Sequence, residues 1–421
     1  MEYKKIKSGS YNIHMIKTNK FKSTTMEIIF SDEINKEEIT KRNFLADMLT
    51  YSNAMYQNRH SLVVAMQDLY SLKFFASSYR IGNYYITDFN TIFLNEKYSE
   101  KGMLEKSIVF AIDTILNPNI KDKKFDKTSF EIVKHNLENQ IESIKENPLK
   151  YTIINMLEKM DNKAKYSYHS YGYKEDLEKI TREKLYEYYK KFINESNIDI
   201  YIIGDIDFDR VEEIIKENLK IKTIKKSKIN YFIGHNKINK KLKNYFEKDN
   251  TNQSKLSIGC KLKNLTLFER NYVINIYNAI LGGNSESKLN KIIREKNSYC
   301  YYIGSSANKV DNLLLINSYI SKKNYDKVIK LIKQEMKNIA LGKITDEEIE
   351  KAKRSYIASI DEIFDSQGMI IASYYAMEIL DSDEPAKRKE EVLKVTKEDI
   401  VNISKKVFMD TIFLLGGESD E

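Results

Sequence analysis

Apolar residues alternate with polar ones, or run unbroken, over Asn12 to Ile16 and Thr25 to Phe30, which predicts strands. Helical spacing takes over across roughly Ile39 to Thr50 and again from Ser61 to Leu72. Phe74 to Tyr79 and Tyr84 to Phe93, on either side of Ile81-Gly82-Asn83, predict a β-hairpin. The second half offers a counterpart in Tyr299 to Ser306 followed by Asn312 to Ile320. A long helical pattern follows each hairpin. The first runs over Phe130 to Glu146 and stops before Pro148; the second, Thr345 to Phe364, opens on a capping box with Glu348 three residues after Thr345.

This grammar is repeated at the ends of the two halves. Leu177 to Leu185 leads through Lys190-Lys191-Phe192 to the strand-like Ile198 to Gly204, and Val392 to Ile400 leads through Lys405-Lys406-Val407 to Thr411 to Gly416. Thr181 and Thr396 are the expected N-caps of the two closing helices. A repeat on this scale means a duplicated unit of structure. Between the halves, Lys220 to Lys243 reads as a solvated connector, with the boundary near Lys225.

Composition narrows the class. The 421 residues, 42% of them apolar and 31% charged with three prolines, describe a folded chain of more than one domain. Cys260 and Cys300, isolated from each other and from the histidines, point to a reducing compartment and exclude a disulfide framework. With no apolar run of signal-peptide or membrane-spanning length, a cytoplasmic protein without a membrane partner is expected. The net charge of +8 is small beside 69 basic and 61 acidic residues, and its lysines are scattered, so no nucleic-acid partner is expected. The histidines His14, His60, His135, His169 and His235 are dispersed, and no two lie within a helical turn. Leu281-Gly282-Gly283-Asn284 lacks the Gly-Lys-Ser/Thr of a phosphate loop and reads as a tight turn into a helix.

One helix carries a chemical pattern with its chemistry removed. In the inverted zinc motif H-x-x-E-H, two imidazoles at i and i+4 grip the metal and the Glu activates water. In Asn43-Phe44-Leu45-Ala46-Asp47 the corresponding places hold Asn43, Ala46 and Asp47. A carboxamide and a carboxylate do not replace two neutral imidazoles on Zn²⁺, and a methyl group takes no proton from water.

With these residues, and with Leu281-Gly282-Gly283-Asn284-Ser285-Glu286-Ser287-Lys288-Leu289, Ile293-Arg294-Glu295-Lys296 and Tyr301 seven residues after Arg294, the chain resembles the pitrilysin/insulinase family of zinc peptidases, in particular its short two-domain, processing-peptidase-like bacterial members. The resemblance implies an α+β fold of two homologous domains, each a mainly antiparallel sheet packed with helices, at residues 1–224 and 225–421. It puts Gln140, after the Phe130-Glu131 start, at the third metal ligand, with Glu138 and Glu142 as alternative registers. It further matches Arg294 and Tyr301 to an Arg/Tyr pair that in active relatives reaches the bound peptide; the alternative is a surface ion pair and an ordinary strand residue. The implied role is a catalytically inactive, substrate-binding subunit of a heterodimeric zinc peptidase that processes peptides or precursors. Such a chain holds no cofactor of its own, and its zinc-bearing homologue supplies the metal. The other expectation is a non-enzymatic scaffold subunit, and an enzyme with a rearranged metal site stands as a third.

Overall fold

The computed structural model describes residues 1–221, 229–235, 241–249 and 253–416. The chain divides into two compact units, Met1–Glu142 with His169–Asn230, and Ser143–Tyr168 with Tyr231–Glu421. The expected boundary at Lys225 and half of the presumed connector, including Lys222, Lys226, Lys228 and Lys240, lie outside the described residues.

The first unit contains β1 (Glu2–Ser8), β2 (Tyr11–Lys17), β3 (Ser23–Glu33), α1 (Lys36–Tyr51), α2 (Arg59–Asp68), β4 (Lys73–Ile81), β5 (Tyr84–Leu94) and α3 (Met103–Leu116). A two-residue ladder, β6 (Ile120–Lys121) with β7 (Lys124–Phe125), precedes α4 (Lys127–Glu142). The chain then makes α5 (Pro148–Met160), which belongs to the second unit, and returns with α6 (Lys174–Glu178), α7 (Arg182–Glu195), β8 (Asn197–Gly204) and α8 (Phe208–Asn218). The sheet runs β1-β2-β8-β3-β5-β4; every pairing is antiparallel except β2 with β8. Ile13, Met26, Ile28, Phe30, Phe89, Ile200 and Ile202 point from one face into a core with Phe44, Leu45, Met48 and Leu49 of α1.

The second unit contains β9 (Lys243–Lys248), β10 (Ser254–Leu262), α9 (Ile274–Leu281), β11 (Cys300–Asn308), β12 (Leu313–Ile320), α10 (Tyr325–Ala340), α11 (Asp346–Glu362), α12 (Gln367–Leu380), α13 (Pro385–Leu393), α14 (Lys397–Ser404) and β13 (Val407–Gly416). Its sheet, β11-β12-β10-β13-β9, is again antiparallel except for the last pair. Setting β10, β12, β11, β13 and β9 against β3, β5, β4, β8 and β2 reproduces the first sheet without β1, so the duplication read from the sequence is a duplication of topology. The expected N-caps are in place: Thr181 accepts from the Lys184 amide, and Thr345 and Thr396 close capping boxes with Glu348 and Asp399.

Helix α5 departs from the sequence expectation. Pro148 does end the preceding helix, which tightens into a short 3₁₀ turn at Ser143–Glu146, but it also starts a new one. Asn147 caps that start by accepting from the Lys150 amide, and the proline stands in the first turn, where its missing N–H costs nothing. Met156 and Met160 then pack on Leu313, Phe413 and Leu415, covering the β10 and β13 side of the second sheet's other face. A segment from the first half of the sequence is thus part of the second unit's core. Strand β1, polar and half exposed, and β9, adjoining the presumed connector, also carry patterns too weak to read in advance.

Candidate functional site: a refitted motif helix and an open Arg/Tyr pair

Helix α1 is held against its sheet from within the motif. Arg42 is buried; its Nε donates to Thr87 Oγ1 at 2.8 Å, one terminal nitrogen donates to the Phe30 carbonyl at 2.8 Å, and the other bonds Asp32. The guanidinium also lies over the rings of Phe192 and Tyr85, at 4.9 and 5.6 Å from their centroids. The next side chain, Asn43, is buried with its amide nitrogen facing three oxygens: Ile39 O at 3.0 Å, Tyr85 Oη at 2.7 Å and Ser170 O at 2.9 Å. The Tyr85 hydroxyl in turn donates to Ser170 O at 3.1 Å. Asn43 is thus a junction that ties α1, β5 and the 170 turn together. Gly172 closes that turn at φ +89°, with Thr40 of α1 so near that a Cβ there would strike its backbone.

Ala46 is buried and contributes a methyl group to the packing. Asp47, one turn after Asn43 on the same face, is half-buried, and desolvation pushes its carboxyl up to about 6. Among the described residues no cation or hydrogen-bond donor pairs with that carboxylate.

On α4, the inward stripe is Phe130, Val133 and Leu137, and the Phe130 ring meets Phe44 of α1 at 4.8 Å between centroids. At about 100° per residue, Gln140 lies roughly 50° from the centre of this stripe, whereas Glu138 and Glu142 lie roughly 110° and 150° away. Those two carboxylates are both engaged by Lys174, at 2.8 and 2.5 Å. Gln140 is itself exposed and Glu138 half-buried.

The donor set made of Asn43, Ala46, Asp47 and Gln140 offers one carboxylate and two amides, that of Asn43 turned to three oxygens, and it does not fit zinc. Among the described residues no group of three His, Cys, Asp or Glu side chains is placed to hold a metal. The histidines are not gathered: His14 stacks on Tyr201 at 4.1 Å, His135 bonds Asn139, His169 stacks on Tyr173, and His235 Nε2 faces the carbonyls of Asp311 and Asn312.

In the second unit, Arg294 stands in the last turn of a π-wound stretch, Asn290–Lys296, which packs on β11. It is exposed, and among the described residues its guanidinium has no ion pair or hydrogen bond. The alternative reading, a surface ion pair, is not made among the described residues. Tyr301 is also more than a strand residue. The register of β11 on β12 slips between Cys300 and Tyr302, so Tyr301 is the extra residue of a β-bulge. A bulge breaks the in-and-out alternation and re-aims a side chain. Tyr301 and Tyr302 are consequently both exposed, Tyr301 to 77%, and the Tyr301 hydroxyl has no partner among the described residues.

The Gly-Gly loop has a structural task. Gly282 O accepts from the Ser305 amide of β11 at 2.8 Å, and Asn290 Nδ2 donates to Ile303 O at 3.0 Å. These bonds occupy part of the outer edge of β11, the side on which a further strand would add. Gly282 permits the approach, since a Cβ there would lie 2.7 Å from Ser305 Oγ and 3.0 Å from its amide nitrogen.

Residues 179–356 match the family model described as the peptidase M16 inactive domain. The chain is 25% identical over 419 residues to the probable inactive metalloprotease YmfF of Bacillus subtilis strain 168, covering 98% of this chain and 97% of the relative. A conserved protein from Enterococcus faecalis V583 has the same fold with a TM-score of 0.92 at 25% identity, over 100% of this chain and 99% of that one. A protease from Helicobacter pylori follows with a TM-score of 0.81 at 14% identity and 99% coverage of both chains, a likeness of fold alone.

Proposed function

On the premise that this chain is a homologue of the M16 peptidases, the pitrilysin/insulinase group, with the family's inactive domain at residues 179–356, we propose that it is the catalytically inactive, peptide-holding subunit of a heterodimeric zinc peptidase. A zinc-bearing homologue supplies metal and base, and this chain contributes Arg294 and Tyr301. The pair acts in the cytoplasm on peptides or precursor proteins, for instance in removing the leader of a ribosomally made peptide.

The observation that carries this reading is a contrast between the two halves. Asn43 is spent on holding the fold, while Arg294 and Tyr301 are exposed, one of them aimed by a bulge, with no structural employment among the described residues. A guanidinium presents a fork of donors to carbonyl or carboxylate oxygens, and a phenol donates to an oxygen that gains charge. Both are therefore open to such a ligand.

The test is peptide turnover by the zinc-bearing homologue with and without this chain. Turnover that needs both chains, and that falls with Arg294→Ala while the two still assemble, supports the proposal. Chelator-sensitive hydrolysis by this chain alone contradicts it. Assembly with turnover indifferent to Arg294 favours the scaffold role.

A further inference from the structure

Three cations from three separate segments of the second unit meet without a carboxylate for each. Lys309 stands in the turn between β11 and β12, Arg270 in the π-wound stretch Glu269–Val273 ahead of α9, and Arg388 in α13. All three side chains are half-buried, and Arg388, Asp383 and Arg270 lie within charge–charge range of Lys309. Desolvation, and after it the two guanidiniums, pull the Lys309 ammonium below its ordinary range, with Asp383 opposing them. Asp383 is already engaged: the Tyr272 hydroxyl donates to it, and so does Lys387 Nζ at 2.5 Å. Glu391, also on α13, is bonded by Lys394 at 2.6 Å.

The donors are as underused as the charges. Arg270 lies over the Phe232 ring, 3.6 Å from its centroid, and bonds the Tyr231 hydroxyl; Arg388 donates through one terminal nitrogen to Ser373 Oγ at 3.1 Å. The Nε of each guanidinium is buried without an acceptor, and among the described residues the Lys309 ammonium has neither a hydrogen bond nor an ion pair. Buried donors are ordinarily satisfied, and like charges gathered out of water weigh against the fold until an anion joins them. A chloride or a carboxylate offsets one charge. A phosphate-type dianion offsets two and gives acceptor oxygens to donors that arrive from three directions, two of them guanidinium forks suited to its geometry. We propose that Lys309, Arg270 and Arg388 form a binding site for a phosphate-type oxyanion, either inorganic phosphate or the phosphoryl group of a nucleotide.

The experiment titrates the full-length protein calorimetrically with inorganic phosphate and, in a second arm, with a nucleoside monophosphate, at constant ionic strength so that screening is the same throughout. Saturable binding at a single site is expected. Lys309→Gln, Arg270→Gln and Arg388→Gln should each weaken it about tenfold or more, whereas Lys309→Arg, which keeps the charge, should retain it. In phosphate-free buffer Lys309→Gln should melt no lower than the parent, because the empty site gains nothing from that charge; this separates a ligand-binding lysine from a structural one. Tighter binding of the nucleotide assigns the phosphoryl group to an ester, and tighter binding of phosphate assigns the free anion. No binding in either arm, binding that survives all three glutamine variants, or a lower melting temperature for Lys309→Gln without phosphate overturns the site.

Discussion

At the residue scale, Asn43 is employed in the fold. Its carboxamide is the point where α1, Tyr85 and the Ser170 carbonyl meet. Asn43→Ala should cost about 1–3 kcal/mol in denaturant unfolding, the expense of leaving buried partners unmatched. Asp47 has no such partner among the described residues. Its carboxyl is raised by burial, so the folded state favours the neutral form, and stability falls as pH rises from the unfolded value near 3.8 through about 6. Above that pH, Asp47→Asn should be more stable than the parent by on the order of 1–2 kcal/mol after allowance for solvent screening of a half-exposed group. Below about pH 4 the difference should vanish, which urea midpoints across the pH range would show.

The position of Gln140 is testable by restoration. Asn43→His, Ala46→Glu and Asp47→His together return the motif to its metal-binding spelling, and Gln140→Glu completes the set. The quadruple variant is expected to hold zinc through dialysis more tightly than the triple. Equal retention would mean that Glu138 or Glu142 stands in the ligand's place.

At the scale of elements, the readable parts were those where one local signal acts alone. The hairpins, the caps at Thr181, Thr345 and Thr396 and the two closing strands obey period and capping chemistry, and they lie within a few residues of their expected places. Three features were hidden because tertiary structure decides them. Pro148 signals an end and a beginning with equal force, and only packing on Leu313, Phe413 and Leu415 explains the helix after it. The bulge at Tyr301 is a slip of register, invisible until β12 is alongside. The role of Gly282 depends on Ser305, 23 residues later in the chain. Asn147-Pro148 was nevertheless a signal in plain view, since an N-cap followed by proline marks a helix start. Gly282→Ala should cost about 1–3 kcal/mol by pressing on the β11 backbone, and amide exchange at Ser305 should accelerate more than exchange elsewhere in the sheet.

At the scale of the molecule, both sheets follow one plan. The duplicated architecture was legible from internal repeats together with the family's spelling. The residue types at positions 43, 46 and 47 argue against a zinc site there, because no arrangement of Asn, Ala and Asp reconstructs two imidazoles and a general base. The network around Asn43 was not legible, since Tyr85 and Ser170 are distant in sequence and contribute ordinary groups. No helix among the described residues is long and apolar enough to cross a membrane. The most direct measurement is the zinc content and peptidase activity of the purified chain after incubation with excess zinc and dialysis. The account predicts no stoichiometric metal and no chelator-sensitive hydrolysis. One retained zinc per chain, bound through the face of α1 that carries Asn43 and Asp47 and accompanied by such hydrolysis, would contradict it.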